Sequence, residues 1–153
     1  MLPRRSFLLS LGALAACGGA PHPLPKPDNN PALHRNETPQ IRRLINHYSD
    51  RYGVPRSLTH RVIQRESGYR PEARNGPYYG LMQILPQTAR GMGFRGHPSD
   101  LLDAETNLKY AVKYLRGAWL VSDGSQDRAV MWYARGYYYE AKRRGMLKAT
   151  GLR

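Results

Sequence analysis

From Thr38 onward the apolar side chains recur at spacings of three and four, and no stretch alternates with period two for long enough to make a strand. This periodicity restricts the chain to a helical fold. Ile41, Leu44, Ile45, Tyr48 and Tyr52 form one apolar face, with Pro39 suited to a first helical position and Gly53 closing the run. A second helix is expected near Ser57, burying Leu58, Val62 and Ile63 and stopping at Gly68. Asp103 reads as the cap of a long helix whose stripe is Leu108, Ala111, Val112, Leu115 and Trp119, closed by Asp123-Gly124. Two shorter helices follow, around Asp127 to Tyr133 and Tyr138 to Arg144. The expected fold class is all-α, on about 115 residues that can bury one modest core.

The chain begins differently. Arg4 and Arg5 precede the apolar run Phe7 to Ala16, which ends in small residues and then Cys17. Ten residues rise only about 15 Å as a helix, half of the roughly 30 Å of a bilayer core. Residues 1–16 therefore read as a signal peptide. Leu14-Ala15-Ala16-Cys17 resembles a bacterial lipobox, which would lipidate Cys17 and make it the mature N-terminus. The competing reading is a simple cleaved signal with an incidental cysteine. Arg4-Arg5-Ser6-Phe7-Leu8 also looks like a twin-arginine export signal, although a plain secretory signal carries two basic residues as well. Both readings export the product to the periplasm, and Gly18 after the cysteine leans toward the outer membrane for the lipidated form.

Residues 17–37 carry Pro21, Pro23, Pro25, Pro27 and Pro31 with almost no apolar periodicity, and read as a solvated tether that does not pack. The folded domain is expected over 38–153. Cys17 is the chain's one cysteine, which excludes a disulfide framework and a cysteine zinc cluster. The formal charge of +13 points to an anionic partner or surface without choosing among nucleic acid, acidic lipid and acidic polymer. Gly91-Met92-Gly93-Phe94-Arg95-Gly96 matches a dinucleotide pattern, but no strand precedes it and His97-Pro98 blocks the following helix, so it reads as a flexible loop. The five histidines include no i, i+4 pair, and neither a metal site nor a cofactor is expected.

Glu66 is the informative residue. With Leu58 at zero and about 100° per residue, Val62 lies near 40°, Glu66 near 80° and Ile63 near 140°, so the carboxylate sits on the apolar face. Arg61 and Arg65 look away from the middle of that face. Desolvation favours the neutral acid, and the negative helix end pushes the same way, so Glu66 is suited to donate a proton near neutral pH. An ordinary salt-bridged glutamate at a helix end fits the same spacing.

The residues after Glu66 break that tie. Glu66-Ser67-Gly68-Tyr69-Arg70-Pro71-Glu72-Ala73 is followed by Gly80-Leu81-Met82-Gln83-Ile84-Leu85-Pro86-Gln87-Thr88-Ala89. The run resembles the soluble lytic transglycosylase (SLT) family, whose signature is E-S-x-aromatic-x-P-x-A and then G-L-M-Q-I-x-P-x-T-A. Leu102 to Leu108, with Tyr114-Leu115, resembles a second family block, and Trp132-Tyr133-Ala134-Arg135-Gly136 a third, usually A-Y-N-A-G. The resemblance spans roughly residues 45 to 140 and implies a lysozyme-like helical fold acting on peptidoglycan. It implies Glu66 as the single acid/base, cutting the bond between N-acetylmuramic acid and N-acetylglucosamine and closing a 1,6-anhydro ring. Gln83 would hydrogen-bond sugar, Tyr133 would reach toward Glu66 or an acetamido group, and Met82 and Tyr79 would belong to the substrate-binding set.

The departures are specific. Asn75 stands where the family often has Ser, in a loop one residue shorter, and an amide can still serve an acetamido carbonyl. Ala134 replaces the usual Asn, and Arg135 the following Ala, where it could meet an anionic stem peptide. Aromatic candidates for a sugar cleft are Tyr78, Tyr79, Trp132 and the run Tyr137-Tyr138-Tyr139, of which one is expected packed and one exposed. The expected partners are glycan strands and, through lipid on Cys17, a membrane, with the protein acting as a monomer and binding no nucleic acid. The alternatives are a muramidase that uses water on the same bond and a catalytically inactive wall-binding module.

Overall fold

The computed structural model describes residues 31–152. The expected signal peptide, most of the expected tether and Cys17 lie outside the described residues. The chain forms α1 (Pro39–Tyr52), α2 (Arg56–Glu66), β1 (Arg74–Asn75), β2 (Tyr78–Tyr79), α3 (Pro86–Gly91), a 3-10 helix (Pro98–Leu102), α4 (Ala104–Leu120), α5 (Gln126–Arg135) and α6 (Tyr138–Arg143). Helices dominate, as the periodicity requires.

The two best-formed helices follow their sequence signals. Thr38 accepts a hydrogen bond from the Ile41 N–H, Pro39 begins α1, and Gly53 ends it at a left-handed φ of 63°. Asp103 caps α4 by accepting from Thr106 N–H at 2.8 Å. Helix α4 is the spine. It packs on α1 and α5 and buries Leu108, Ala111, Val112, Leu115 and Ala118 completely. It stops at Leu120, earlier than the expected Asp123-Gly124, and both of those residues take positive φ in the turn into α5.

Several expectations need correction. Helix α3 and the 3-10 helix went unread because each is too short for a periodic stripe, and each buries a single apolar side chain, Ala89 and Leu101. His97-Pro98 opens the 3-10 helix and does not block one: Pro98 occupies the first turn while the Asp100 carboxylate accepts from the His97 N–H at 2.9 Å. The glycine-rich 91–96 segment is packed, with Met92 and Phe94 buried and Phe94 edge-on to Tyr110. The strands β1 and β2 pair antiparallel over two residues each, below the length at which alternation is visible.

The folded unit also begins earlier than residue 38. Glu37 is buried, and its carboxylate holds Arg42 through Nε and Nη2, both at 2.6 Å, while accepting from the His34 N–H. His34 stacks on Tyr69 at 4.9 Å. Residues 32–37 therefore dock on the domain by charge and ring contacts, which hydropathy does not register.

Candidate functional site

Helix α2 turns Leu58, Val62 and Ile63 into the core, all with no exposure. Glu66 is the next residue on that face, in the last turn, and its side chain keeps 24% of its surface. It is thus partly desolvated and still reachable. Burial raises its pKa above the ordinary carboxylate value, and the positive charge of Arg65 opposes that rise without cancelling it. Arg65 is a departure from expectation: its long side chain folds back until Nε lies 3.7 Å from Glu66 Oε1, too far for a hydrogen bond. Arg61 does turn away and pairs with Asp127 of α5. Among the described residues no group donates a hydrogen bond to Glu66.

Glu66 opens into a cavity of about 270 Å³ lined by Arg65, Asn75, Tyr78, Gln83, Tyr133 and Ala134. A neighbouring cavity of about 320 Å³ shares Tyr78, Gln83, Tyr133 and Ala134, and extends past Leu85 and Thr88 to Tyr114. Four elements converge on the Glu66 cavity: the end of α2, the hairpin, the loop before α3, and α5. Among the described residues Glu66 is the single carboxylate lining either cavity.

The loop over residues 80–84 is held by hydrogen bonds from three directions. Tyr133 Oη donates to the Met82 carbonyl at 2.8 Å, and Ser67 Oγ donates to the Leu81 carbonyl at 2.7 Å. Asn107, fully buried at the start of α4, accepts from the Met82 N–H and donates to the carbonyls of Tyr79 and Leu101. Gly80 is required there. It has a φ of +73°, and a Cβ would fall 2.3 Å from both Asn107 Nδ2 and the Leu101 oxygen. Gln83 itself has a φ of +48°, an unfavourable backbone for a non-glycine residue, which this network stabilises. Its Nε2 donates to the carbonyls of Ala73 and Gly80, so its amide oxygen is the group left for a ligand.

The expected binding residues separate into two sets. Gln83, Tyr133 and Asn75 meet Glu66 at one cavity. Met82 and Tyr79 do not line it. Met82 is fully buried and contributes through its backbone, which receives Tyr133 and Asn107. Tyr79 packs against the core beneath the Arg74 guanidinium, 4.5 Å from the ring centroid, and its neighbour Tyr78 is the exposed ring at the cavity. Tyr133 is buried, and desolvation followed by the nearby Glu66 charge raises its pKa well above 10, so it is a neutral hydrogen-bond donor. In the tyrosine run Tyr137 enters the core, Oη to the Tyr114 carbonyl, while Tyr139 is 83% exposed. Asn107 and Ser67 were missed as positioning residues. Asn107 sits four residues before Ala111, a polar side chain on the apolar stripe, and that was the available signal.

His34, Glu37 and His60 bring three metal-ligand side chains within 4.8 Å of one another, an arrangement that sequence spacing does not reveal. The Arg42 guanidinium already engages both carboxylate oxygens and would repel a cation. His60 Nδ1 shares a hydrogen bond with Tyr69 Oη at 2.9 Å. These contacts fasten the N-terminal arm to α2.

No solved structure matches the chain at a significant level. The Transglycosylase SLT domain family matches residues 43–148, from α1 to the segment after α6. That match covers more than half of the 153 residues and includes every element around Glu66, so the chain belongs to the SLT transglycosylase family, and its mostly helical domain is of the lysozyme-like class.

Proposed function

We propose that this protein is a peptidoglycan lytic transglycosylase in which Glu66 is the single general acid/base. The observation that carries the reading is a lone, partly desolvated carboxylate in a cavity with no second carboxylate among its described lining residues. Most glycosidases that use water or a covalent intermediate rely on such a partner. A substrate that supplies its own nucleophile does not.

Glu66 in its acid form gives its proton to the oxygen bridging muramic acid C1 and the 4-position of N-acetylglucosamine. The C1–O bond breaks and the departing sugar leaves with a free 4-hydroxyl. The carboxylate then takes the proton of the muramic acid 6-hydroxyl as O6 bonds to C1, which closes the 1,6-anhydro ring and returns Glu66 to its acid form. No water is consumed. The Gln83 amide oxygen and the Asn75 amide serve the sugar's hydroxyl and acetamido groups, and Tyr78 offers a ring face to a pyranose. Tyr133 acts on position, tying the Gln83 loop to α5. We further propose export by residues 1–16 and lipid anchoring at Cys17, on the strength of the lipobox-like sequence alone.

Digestion of purified sacculi, with mass spectrometry of the released muropeptides, tests the reading. Anhydromuramoyl ends are expected from the wild-type protein, and their loss from Glu66→Gln. Ends one water heavier would make the enzyme a muramidase. Sacculus binding without cleavage would make it an inactive wall-binding module.

A further inference from the structure

A third depression, about 310 Å³, lies where α2 meets α5. Val130, Met131 and Ala134 form its apolar floor, and Arg61, Arg65 and Arg135 stand around it. It shares Arg65 and Ala134 with the Glu66 cavity, so the two are contiguous. Arg135 also lines the neighbouring cavity beyond Tyr133.

Its charge is unbalanced. Asp127 is the one carboxylate among the described lining residues, and it pairs with Arg61. Arg135 faces no carboxylate among the described residues, and its polar contact is the Met131 sulfur at 4.0 Å. Arg65 has only Glu66 opposite it, at 3.7 Å and without a hydrogen bond. When Glu66 carries the proton it is to deliver, Arg65 loses that counter-charge. The reactive protonation state thus leaves two uncompensated guanidinium groups over an apolar floor.

The substrate assigned to Glu66 carries a matching group. Muramic acid bears on its lactyl ether a short peptide of small aliphatic residues with free carboxylates. On the transglycosylase reading the muramic acid being converted to its anhydro form is placed over Glu66, and a peptide leaving on the side shared by Arg65 and Ala134 crosses this depression. We infer that the depression between α2 and α5 is a subsite for a carboxylate of the peptide on the muramic acid being cleaved, with Arg135 as its principal cation and Val130 and Met131 receiving an aliphatic side chain. The inference rests on the transglycosylase reading above.

The test compares two soluble substrates cut by the full-length protein: peptide-bearing glycan strands and the same strands stripped of peptide by an amidase. Arg135→Glu is expected to lower kcat/KM on the peptide-bearing strands about tenfold more than on the stripped ones, mainly through KM, since a partly exposed ion pair replaced by a repulsion is worth about a factor of ten. Arg135→Lys should recover much of the preference. Equal losses on both substrates would reduce the arginines to a general attraction for polyanions and overturn the subsite, as would no loss on either. Glu66→Gln run beside them separates the two failures. If it cleaves at the wild-type rate, or the wild-type protein cleaves neither substrate, the acid/base reading itself is wrong and the subsite falls with it.

Discussion

Glu37 and Glu66 are both carboxylates drawn from water beside an arginine, and their pKa values move in opposite directions. At Glu37 burial pushes the pKa up, but Arg42 donates two hydrogen bonds of 2.6 Å and the His34 N–H a third, so the group is held below its ordinary value. At Glu66 burial also raises the pKa, and Arg65, at 3.7 Å, acts through charge alone, so the group stays above its ordinary value. Contact geometry separates them: a hydrogen-bonded fork stabilises the anion, whereas an unbonded guanidinium only moderates the cost of desolvation. The first arrangement fastens a segment to the domain, and the second favours the neutral acid that the proposed mechanism requires.

The largest expected difference comes from removing each ionisable group in turn. Glu66→Gln should lower turnover on sacculi by roughly 10²-fold to 10⁴-fold. Its unfolding free energy should change by no more than about 0.5 kcal/mol, because an amide of the same shape fills a site that holds no hydrogen bond to lose. Glu37→Gln should invert that pattern. Breaking a buried pair costs about 3–5 kcal/mol, read by urea denaturation, while the activity per folded molecule is preserved. Loss of turnover without loss of stability at Glu37 would break the contrast.

Asn107→Ala should fall between them. It leaves the Met82 N–H and the Leu101 carbonyl without their Asn107 partner, at roughly 1–3 kcal/mol for each group that stays dry, while the Tyr79 carbonyl keeps the Ile84 N–H. Both stability and turnover should drop, because the Gln83 loop loses its anchor on α4.

Titration sharpens the comparison next. Glu37 has a folded-state pKa below its ordinary 4.5, so its stabilisation is fully present above about that pH and is lost as pH falls through the lowered folded value. On the proposed mechanism Glu66 works as an acid, so turnover should decline as pH rises through its raised pKa. Acid should therefore reduce stability and alkali should reduce turnover, and denaturation and rate profiles on one preparation would separate the two limbs. The smallest effect is expected from Arg65→Ala. Arg65 is more than half exposed, so removing it should shift the alkaline limb upward only slightly, and a shift downward would mean that Arg65 does not act on Glu66 by charge.

Much of this fold was legible because α1, α2 and α4 have long apolar stripes with recognisable ends, and Glu66 stood out by lying on one of them. Helix α3, the 3-10 helix and the hairpin were not legible, since each has too few residues for a period to repeat. The docking of residues 32–37 was hidden for another reason. It depends on Glu37 meeting Arg42 and His34 meeting Tyr69, contacts that leave no periodic trace. At the site Gln83, Tyr133 and Asn75 were found through motif resemblance, and they do share one cavity with Glu66. The same motif reasoning put Met82 and Tyr79 in the binding set, and neither lines that cavity, because a motif records which residues recur and not whether a side chain or its backbone faces the opening.

The carboxamide of Asn107 ties the 80–84 loop to the central helix, so the loop has no independent route to melting. Heating should not release it ahead of the rest of the body, and catalytic power should persist until the whole domain gives way in one cooperative event.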